Sequence, residues 1–506
     1  MADYDLAIIG GGINGAGIAR DAAGRGLRVL LLEQNDLASG TSSASTKLIH
    51  GGLRYLEHGA FRLVRAALSE REVLLRIAPH AVRPMRFVLP AVPGPRSPLM
   101  LRLGLWLYDI LGARKILPPS HSVDLTHHVV GQPLMRKFRY GFEYSDCWVD
   151  DSRLVALNAL DAAERGATIR TRTRVTRVER EDVWKLILNV QGLREVATAR
   201  ALINATGPWV GIVAETVLRI EGRPPVRLAK GSHIVVPKLF DHDRGYILQN
   251  GDKRIVFALP FANDFTLVGT TDDNFTGALD SIAPSAGEVM YLCRSVNEFF
   301  RTSVDPADVV WAYAGVRALY DTSAGRDRPE DVTRDYHLQL DKRYGVAPLL
   351  TVYGGKITTY RRLAEDALGQ LSSFFQLHRP WTAEAPLPGG DFAWDAAADR
   401  VAQARKDWPF LTELEAQRLV RAYGTRIERV LGSVVRREDI APFFGPLSAA
   451  EVRYLMKHEW ARTADDVLWR RSKLGLVLTR VDKEALQRFM TASPAEHAEP
   501  AKPAQA

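Results

Sequence analysis

Apolar and polar positions follow a distinctive order at the amino-terminal end of the chain. An apolar run over residues 6–9 ends in a glycine cluster that begins at Gly10, and a second apolar run, one helix length further on, ends at Glu33. This order predicts a strand, a tight turn, a helix and a second strand tipped by an acid, which is the layout of a dinucleotide-binding βαβ unit. In such a unit Gly10 permits the turn, Gly12 lets the backbone approach a pyrophosphate, and Gly15 allows the helix to pack closely on the strand. Glu33 can accept hydrogen bonds from ribose hydroxyls. The alternative is an ordinary structural glycine turn.

The rest of the chain alternates between helical and strand-like patterns. Helices are predicted over 61–78, 152–165, 285–301 and from Lys356 to about Phe375, short strands over 167–200, a further strand over 201–207, and antiparallel strands over 226–275. Residues 90–135, rich in proline and apolar side chains, are expected to form an insertion, and residues 386–390 a linker.

Composition narrows the choice of function. The chain has 506 residues, enough for two or three domains, and its formal charge of +8 suits an anionic partner such as a phosphorylated substrate, an acidic membrane surface or nucleic acid. Only two cysteines occur and they form no CxxC pair, which argues against dithiol chemistry and a structural zinc. No metal site is expected, since the HExxH-like string that starts at His458 has Arg462 in place of the second histidine.

The chain is expected to be cytoplasmic. The first strand begins by Asp5, which leaves no room for a signal peptide, and no apolar run reaches the roughly eighteen residues of a transmembrane helix.

Three later loops separate an NAD-binding from an FAD-binding interpretation. A flavin ring lies far from the ADP half of its cofactor, so loops from distant parts of the sequence must hold it. The Ser/Thr-rich segment 41–47, the turn at 204–207 and the glycine turn at 354–356 are suited to this task. Each could be an ordinary turn, but the three together in this order favour FAD.

Longer motifs extend this interpretation to a family. They are residues 41–57, 144–151, 230–237, 268–272, 314–317 and 354–361. The chain resembles the FAD-dependent (aerobic, respiratory) glycerol-3-phosphate dehydrogenases from about residue 4 to residue 390, and the helical carboxyl-terminal domain is also typical of that family. The resemblance implies oxidation of sn-glycerol 3-phosphate to dihydroxyacetone phosphate, with hydride transfer from C2 to flavin N5 and electrons passed to a ubiquinone-type membrane quinone.

The resulting fold prediction is an α/β flavoprotein of the glutathione-reductase/D-amino-acid-oxidase type. It combines a Rossmann-like FAD-binding domain, an antiparallel-sheet substrate domain and an all-α carboxyl-terminal domain. The FAD-binding domain is assigned to 1–80, 150–225 and 331–385, the substrate-binding cap to 81–149 and 226–330, the helical domain to 391–490 and a disordered tail to 491–506.

The residues expected to bind FAD come from every segment of the predicted cofactor domain and from the cap. Besides the glycines and Glu33 of the βαβ unit, they are Thr41, Ser42, Ser45, Lys47, Val175, Gly207, Thr270, Gly354, Gly355, Lys356 and Thr358.

A buried phosphomonoester needs cations, and arginine is favoured because its planar fork pairs with phosphate oxygens. The resemblance points to Arg54, Tyr55, Arg317 and Lys356 as substrate contacts. Outside the motifs, a single arginine would more commonly be a solvated surface charge.

Removal of the hydroxyl proton suits histidine, whose usual pKa lies close to neutral pH. His50 and His233 both lie in family motifs, and the sequence does not decide between them. Arg317 is added to them as a third catalytic candidate.

Residues 97–116 are the candidate membrane segment. Short apolar stretches that include Trp106 and Tyr108 are interrupted or flanked by Arg96, Arg102, Arg114 and Lys115, a composition that suits an interfacial helix on the anionic inner-membrane surface. A buried core helix is the alternative. No nucleic-acid-binding motif is visible, and a homodimer is left open.

Two other functions compete with the leading one. They are a related FAD-dependent oxidase that uses O2, and a flavin-binding membrane or nucleic-acid scaffold without turnover.

Overall fold

Two large sheets organise the chain up to residue 353. The computed structural model describes residues 2–92, 97–112, 116–220, 226–252, 254–321 and 335–492. The strands are β1 (Tyr4–Ile9), β2 (Val29–Leu32), β3 (Leu48–Ile49), β4 (Val82–Pro90), β5 (His121–Asp124), β6 (Tyr140–Val149), β7 (Thr168–Arg170), β8 (Thr173–Arg180), β9 (Trp184–Val190), β10 (Leu193–Asn204), β11 (Val226–Pro237), β12 (Gly245–Gln249), β13 (Ile255–Phe261), β14 (Phe265–Gly269), β15 (Asp273–Asn274), β16 (Trp311–Tyr320), β17 (His337–Asp341), β18 (Leu349–Tyr353), β19 (Phe443–Phe444) and β20 (Leu447–Ser448).

The helices pack on the sheets and build the carboxyl-terminal domain. They are α1 (Ile13–Gly24), α2 (Phe61–Ile77), α3 (Pro98–Leu111), α4 (Asp151–Glu164), α5 (Val210–Thr216), α6 (Ala286–Asn297), α7 (Tyr360–Leu371), α8 (Ala397–Asp407), α9 (Glu413–Tyr423), α10 (Ile427–Leu431), α11 (Ala449–His458) and α12 (Arg480–Ala492). Among the described residues, none of these helices has the length and apolar character needed to cross a bilayer.

The first sheet carries the predicted βαβ unit. Its strand order is β17-β18-β10-β1-β2-β7, with β1 parallel to both β2 and β10, and β9 and β8 extending it from β10. The central strands are buried on both faces, which is why they form nearly continuous apolar runs. Helix α1 packs between this sheet and helices α4 and α7. The apolar runs noted in the sequence therefore form the centre of the first domain.

The second sheet is mostly antiparallel. Its order is β15-β11-β14-β13-β12-β4-β6-β3, with β16 beside β11 and β5 beside β6; β4 and β12 run parallel. The three-residue turn 262–264 that joins β13 to β14 has left-handed φ values at Ala262 (46°) and Asn263 (66°). Strand β3 pairs with β6, so the chain enters this sheet well before residue 81, the predicted start of the cap. Residues 90–135, predicted as an insertion, contribute β5 to it.

Helix α3 lies within the predicted membrane segment and is amphipathic. Leu101, Leu105 and Tyr108 face the protein, whereas Leu103 and Trp106 are exposed. One face of α3 therefore belongs to the core, as the core-helix alternative expects, and the other is an exposed apolar face; its contact with a membrane stays a prediction. Of the basic residues in the predicted membrane segment and beside it, Arg96, Arg114 and Lys115 lie outside the described residues.

The carboxyl-terminal domain is helical, with one addition. The short antiparallel pair β19–β20 interrupts the predicted all-helical pattern, and residues Asp466–Arg471 form a π-helix. The predicted linker is packed rather than loose: residues 387–390 are buried, and a Cβ at Gly389 would lie 2.1 Å from the carbonyl oxygen of Tyr423. Of the tail predicted to be disordered, residues 493–506 lie outside the described residues.

Candidate active site

A cavity of about 960 Å³ opens at the carboxyl ends of the parallel strands β1, β2 and β10, the usual ligand position in such sheets. Loops from both sheets close it. The predicted site residues that line it are Gly10, Gly12, Glu33, Thr41, Ser42, Ser45, His50, Tyr55, Val175, Gly207, His233, Thr270, Arg317, Gly354, Gly355, Lys356 and Thr358. The structure therefore brings together residues spread over more than three hundred positions of the sequence.

The glycine turn is shaped for a dinucleotide. Gly10 has φ +115°, and a Cβ there would lie 2.5 Å from the carbonyl oxygen of Ala205. A Cβ at Gly15 would lie 1.9 Å from the Gly10 carbonyl oxygen, which explains the close approach of α1 to the turn. Gly12 lines the cavity at the start of α1, where backbone N–H groups and the helix dipole favour a pyrophosphate.

Glu33 has a second task besides the predicted contact to ribose. One carboxylate oxygen accepts a hydrogen bond from the Gly11 N–H at 2.8 Å, and the other accepts from the Asn35 N–H at 2.8 Å. Burial raises the pKa of Glu33, and these two backbone hydrogen bonds oppose that rise. The acid at the tip of β2 thus holds the glycine turn in place and also lines the cavity.

The glycine turn after β18 differs from its prediction. A helix is predicted to start at Gly354–Lys356, but α7 begins at Tyr360, so its dipole does not start at Lys356. The left-handed φ values of Gly354 (+71°) and Gly355 (+96°) keep this backbone out of a right-handed helix.

One buried polar atom indicates that the cavity fits a polar cofactor. Asn14 lines the cavity, and its side-chain N–H donates to the Gly354 carbonyl oxygen at 3.1 Å. Its Oδ1 atom is buried without a hydrogen-bond partner among the described residues. Together with the bare glycine backbone, this acceptor matches the ligand expected of a dinucleotide cradle.

Cations and a phenol line another part of the cavity. Arg317, on β16, donates from Nη2 to Asp272 Oδ1 at 2.8 Å. The Lys356 ammonium lies 3.9 Å from the centre of the Tyr55 ring, a cation–π contact. Arg317 lies in the second sheet, Lys356 in the turn after β18 of the first sheet, and Tyr55 in the 3₁₀ helix Leu53–His58, so only the fold places them at one cavity.

Of the two candidate histidines, His233 is the more deeply buried. Its Nε2 lies 2.9 Å from Thr46 Oγ1, its ring stacks on Tyr313 at 4.9 Å, and Nδ1 has no hydrogen-bond partner in the described part of the chain. Burial, followed by the positive charges of Lys47 and Arg317, lowers the pKa of His233 to about 3, so its imidazole is neutral.

His50 also lines the cavity. It contacts Phe257 edge-on at 6.2 Å, and its backbone N–H donates to Thr358 Oγ1 at 3.4 Å. Both histidines therefore remain base candidates.

Three predicted residues do not line the cavity. Gly15 acts through packing, as described above. The Lys47 side chain is buried behind the loop, where its Nζ lies 2.9 Å from Asp151 Oδ2, so it supports the loop. Arg54 lies in the short 3₁₀ helix Leu53–His58, next to the cavity-lining Tyr55.

Several lining residues were missed by the sequence analysis. They include Asn14, Asn35, Thr173, Arg174, Trp209, Leu279 and Asp280. Asn14 could have been found, because it lies inside the glycine cluster. Leu279 and Asp280 belong to an irregular loop, where no periodic pattern marks a residue as part of a site.

A dinucleotide cradle joined to a cation-lined cavity between two sheets defines a flavin-dependent oxidoreductase. Residues 5–361 match the family described as FAD dependent oxidoreductase, and residues 380–497 match the C-terminal domain of alpha-glycerophosphate oxidase. The chain belongs to the FAD-dependent oxidoreductase family and carries this additional carboxyl-terminal domain.

Individual proteins of known name are similar to this chain over nearly its whole length. The glycerol-3-phosphate dehydrogenase of Pseudomonas aeruginosa is 50% identical over 491 residues, which cover 96% of this chain and 95% of that protein. The aerobic glycerol-3-phosphate dehydrogenase of Escherichia coli is 47% identical, with 97% and 98% covered. The D-erythritol 1-phosphate dehydrogenase of Brucella abortus is 48% identical, with 95% and 96% covered.

A solved structure supports the same comparison. The glycerol-3-phosphate dehydrogenase from Bacillus halodurans, complexed with FAD, superimposes with a TM-score of 0.77 at 25% identity and covers 97% of this chain and 90% of that chain. The predicted family resemblance, fold class and FAD cofactor are confirmed.

Proposed function

We propose that this protein oxidises the C2 hydroxyl of sn-glycerol 3-phosphate to dihydroxyacetone phosphate. The observation that carries the proposal is the placement of Arg317 and Lys356 on the same cavity as the dinucleotide cradle. Bound FAD supplies the two-electron acceptor that takes the C2 hydride. The protein's own residues bind the phosphate, orient the alcohol and accept its proton.

Arg317 and Lys356 have complementary parts in phosphate binding. The guanidinium of Arg317 can pair with two phosphate oxygens, and Asp272 orients it. Lys356 acts as a point charge whose position Tyr55 helps to hold. Two cations suit the nearly dianionic phosphomonoester, and glycerol, which has no phosphate, is expected to bind far more weakly.

The hydroxyl proton goes to a histidine, and His233 meets the requirement that the base be neutral. Its low pKa in the free protein arises from burial and from Lys47 and Arg317. A bound phosphate dianion would offset those positive charges, so substrate binding itself raises the proton affinity of the ring. His50 is the other candidate, and replacing each histidine in turn by glutamine distinguishes them through the pH profile of flavin reduction.

An anaerobic titration of the purified holoenzyme tests the proposed substrate. Glycerol 3-phosphate is expected to bleach the absorbance of oxidised flavin at much lower concentrations than glycerol. Unchanged absorbance with glycerol 3-phosphate would contradict the proposal and would leave the scaffold alternative. D-erythritol 1-phosphate is titrated in parallel, because a relative of similar identity is named for it.

The proposed electron acceptor is a ubiquinone-type membrane quinone, reached from the inner-membrane surface on which the exposed face of α3 lies. That apolar face supports a peripheral position at the bilayer, where such an acceptor is dissolved. The oxidase alternative predicts stoichiometric peroxide during aerobic turnover without quinone. Little peroxide, with rapid reoxidation by a short-chain soluble quinone, is the expected result.

A further inference from the structure

The carboxyl-terminal domain reaches the rear of the cofactor cavity through residues 470–473, at the end of its π-helix. Arg471 donates to both oxygens of Asp36 at 2.8 and 2.9 Å, and Asp36 lies in the loop that follows Glu33. Lys473 donates from Nζ to Ser152 Oγ at 2.8 Å. Both basic side chains are buried. Two neighbouring residues of this domain therefore contact the supports of the cofactor site.

The support nearest the flavin-site loop, residues 41–47, is Asp151. Its Oδ2 accepts from the Ser45 hydroxyl at 2.7 Å and from Lys47 Nζ at 2.9 Å. Ser45 lines the cavity, whereas Asp151 and Lys47 lie behind it. A single buried carboxylate thus holds the loop from behind, and Lys47 itself has a left-handed φ of +61° that this contact helps to maintain.

Lys473 lies on the other side of this carboxylate. Its partner Ser152 follows Asp151 directly, and the Ser152 N–H donates to Asp151 Oδ1 at 2.8 Å. Burial alone raises the pKa of Asp151, but the charges of Lys47 and Lys473 outweigh it and the net shift is downward. Lysines from two domains therefore keep the loop-holding carboxylate ionised.

We propose that Lys473 is a positioning residue through which the carboxyl-terminal domain fixes the flavin-site loop 41–47. Removal of its charge weakens the hold of Asp151 on Ser45 and Lys47, and the loop then presents Thr41 and Ser45 to FAD less accurately. The carboxyl-terminal domain would in this way contribute to the cofactor site, although Lys473 itself does not line the cavity.

Lys473→Met tests the proposal, because it keeps the length and packing of the side chain and removes its charge. The full-length variant is expected to bind FAD about tenfold more weakly, equivalent to about 1.4 kcal/mol, with an altered visible absorbance or circular dichroism spectrum of the bound flavin. FAD dissociation is followed by the recovery of flavin fluorescence on dilution. Lys473→Arg, which retains the charge, is expected to restore the wild-type spectrum.

Arg429→Met is the matched control. Arg429, from the same domain, pairs at 3.1 Å with Glu164 at the opposite end of helix α4, about 20 Å from Asp151 by helix length. The Arg429→Met variant should have the FAD affinity and flavin spectrum of the wild type. Equal weakening by Arg429→Met would show that general domain docking is responsible and would overturn the proposal.

A folded Lys473→Met protein with wild-type FAD affinity and spectrum would also overturn it. If that variant does not fold, Ser152→Ala is used instead. This substitution removes the hydroxyl that accepts from Lys473 and that donates to Asp150 Oδ1 at a long 3.4 Å. A smaller loss of FAD affinity is then expected, and none would contradict the proposal. Because every readout concerns FAD binding, the outcome is independent of which substrate the enzyme oxidises.

Discussion

The exposed face of α3 makes a quantitative prediction for membrane binding. Leu103 and Trp106 are 61% and 54% exposed, while their neighbours Leu105 and Tyr108 are buried. Complete burial of a large apolar side chain is worth about 1.5–3 kcal/mol. Scaled by the exposed fractions, Leu103 and Trp106 together would contribute about 1.7–3.5 kcal/mol on entering the interface, a factor of about 20 to 300 in partitioning.

The double variant Leu103→Glu with Trp106→Glu removes this contribution, and its carboxylates are repelled by anionic lipid. We expect the partition coefficient onto vesicles of mixed anionic and zwitterionic phospholipid, obtained by flotation at several lipid concentrations, to fall by at least about 20-fold. High salt should also release the wild-type protein, since screening weakens its attraction to the anionic surface.

The matched control changes Leu193 and Val196 to glutamate. These residues are 71% and 51% exposed on the first sheet, so the variant has the same change in charge and a similar loss of exposed apolar surface. It should bind vesicles like the wild type apart from a small general effect of charge. If the α3 variant retains its flavin and still partitions like the wild type, α3 is not the membrane-binding face.

Three further predictions follow from the site and its surroundings. Gly15→Ala would place a methyl group 1.9 Å from the Gly10 carbonyl oxygen, so we expect purified protein with little FAD, and a full flavin-to-protein ratio would show that the turn can adjust. Arg317→Ala should retain FAD but lose about 10- to 100-fold in kcat/KM for glycerol 3-phosphate. This loss corresponds to the roughly 1.5–3 kcal/mol that a hydrogen bond to a charged group contributes. Loss of FAD as well would give Arg317 a structural role. Burial, aided by the positive charge of Arg153, lowers the pKa of His80 from its ordinary value of 6.5 to about 3 in the folded protein. Between these two pH values the unfolded chain therefore binds a proton at His80 that the folded protein does not bind. Stability should therefore fall with decreasing pH by up to about 1.4 kcal/mol per unit, and His80→Leu should show a shallower fall in urea unfolding between pH 7 and 5.

The local pattern of apolar and polar residues was sufficient to predict the strands and the helix of the βαβ unit in the cofactor domain. The run before Gly10, the gap and the run ending at Glu33 give a strand–turn–helix–strand unit because burial on both faces requires continuous apolar runs. Positive φ at Gly10 requires glycine for steric reasons that act within the turn itself. Such constraints are local, so they are visible in the sequence.

The sequence by itself thus determined the nucleotide cradle, the succession of helices and strands, and, through its motifs, the residues that line most of the cavity. Tertiary structure alone decided that Lys47 supports the loop instead of lining the cavity, that the Asn14 side chain donates to the Gly354 carbonyl oxygen, and that Lys473 of another domain donates to Ser152 beside Asp151. The physical reason is that these contacts join residues far apart in the chain. Their energies depend on which side chains folding places side by side, and a local pattern in the sequence does not record such pairings.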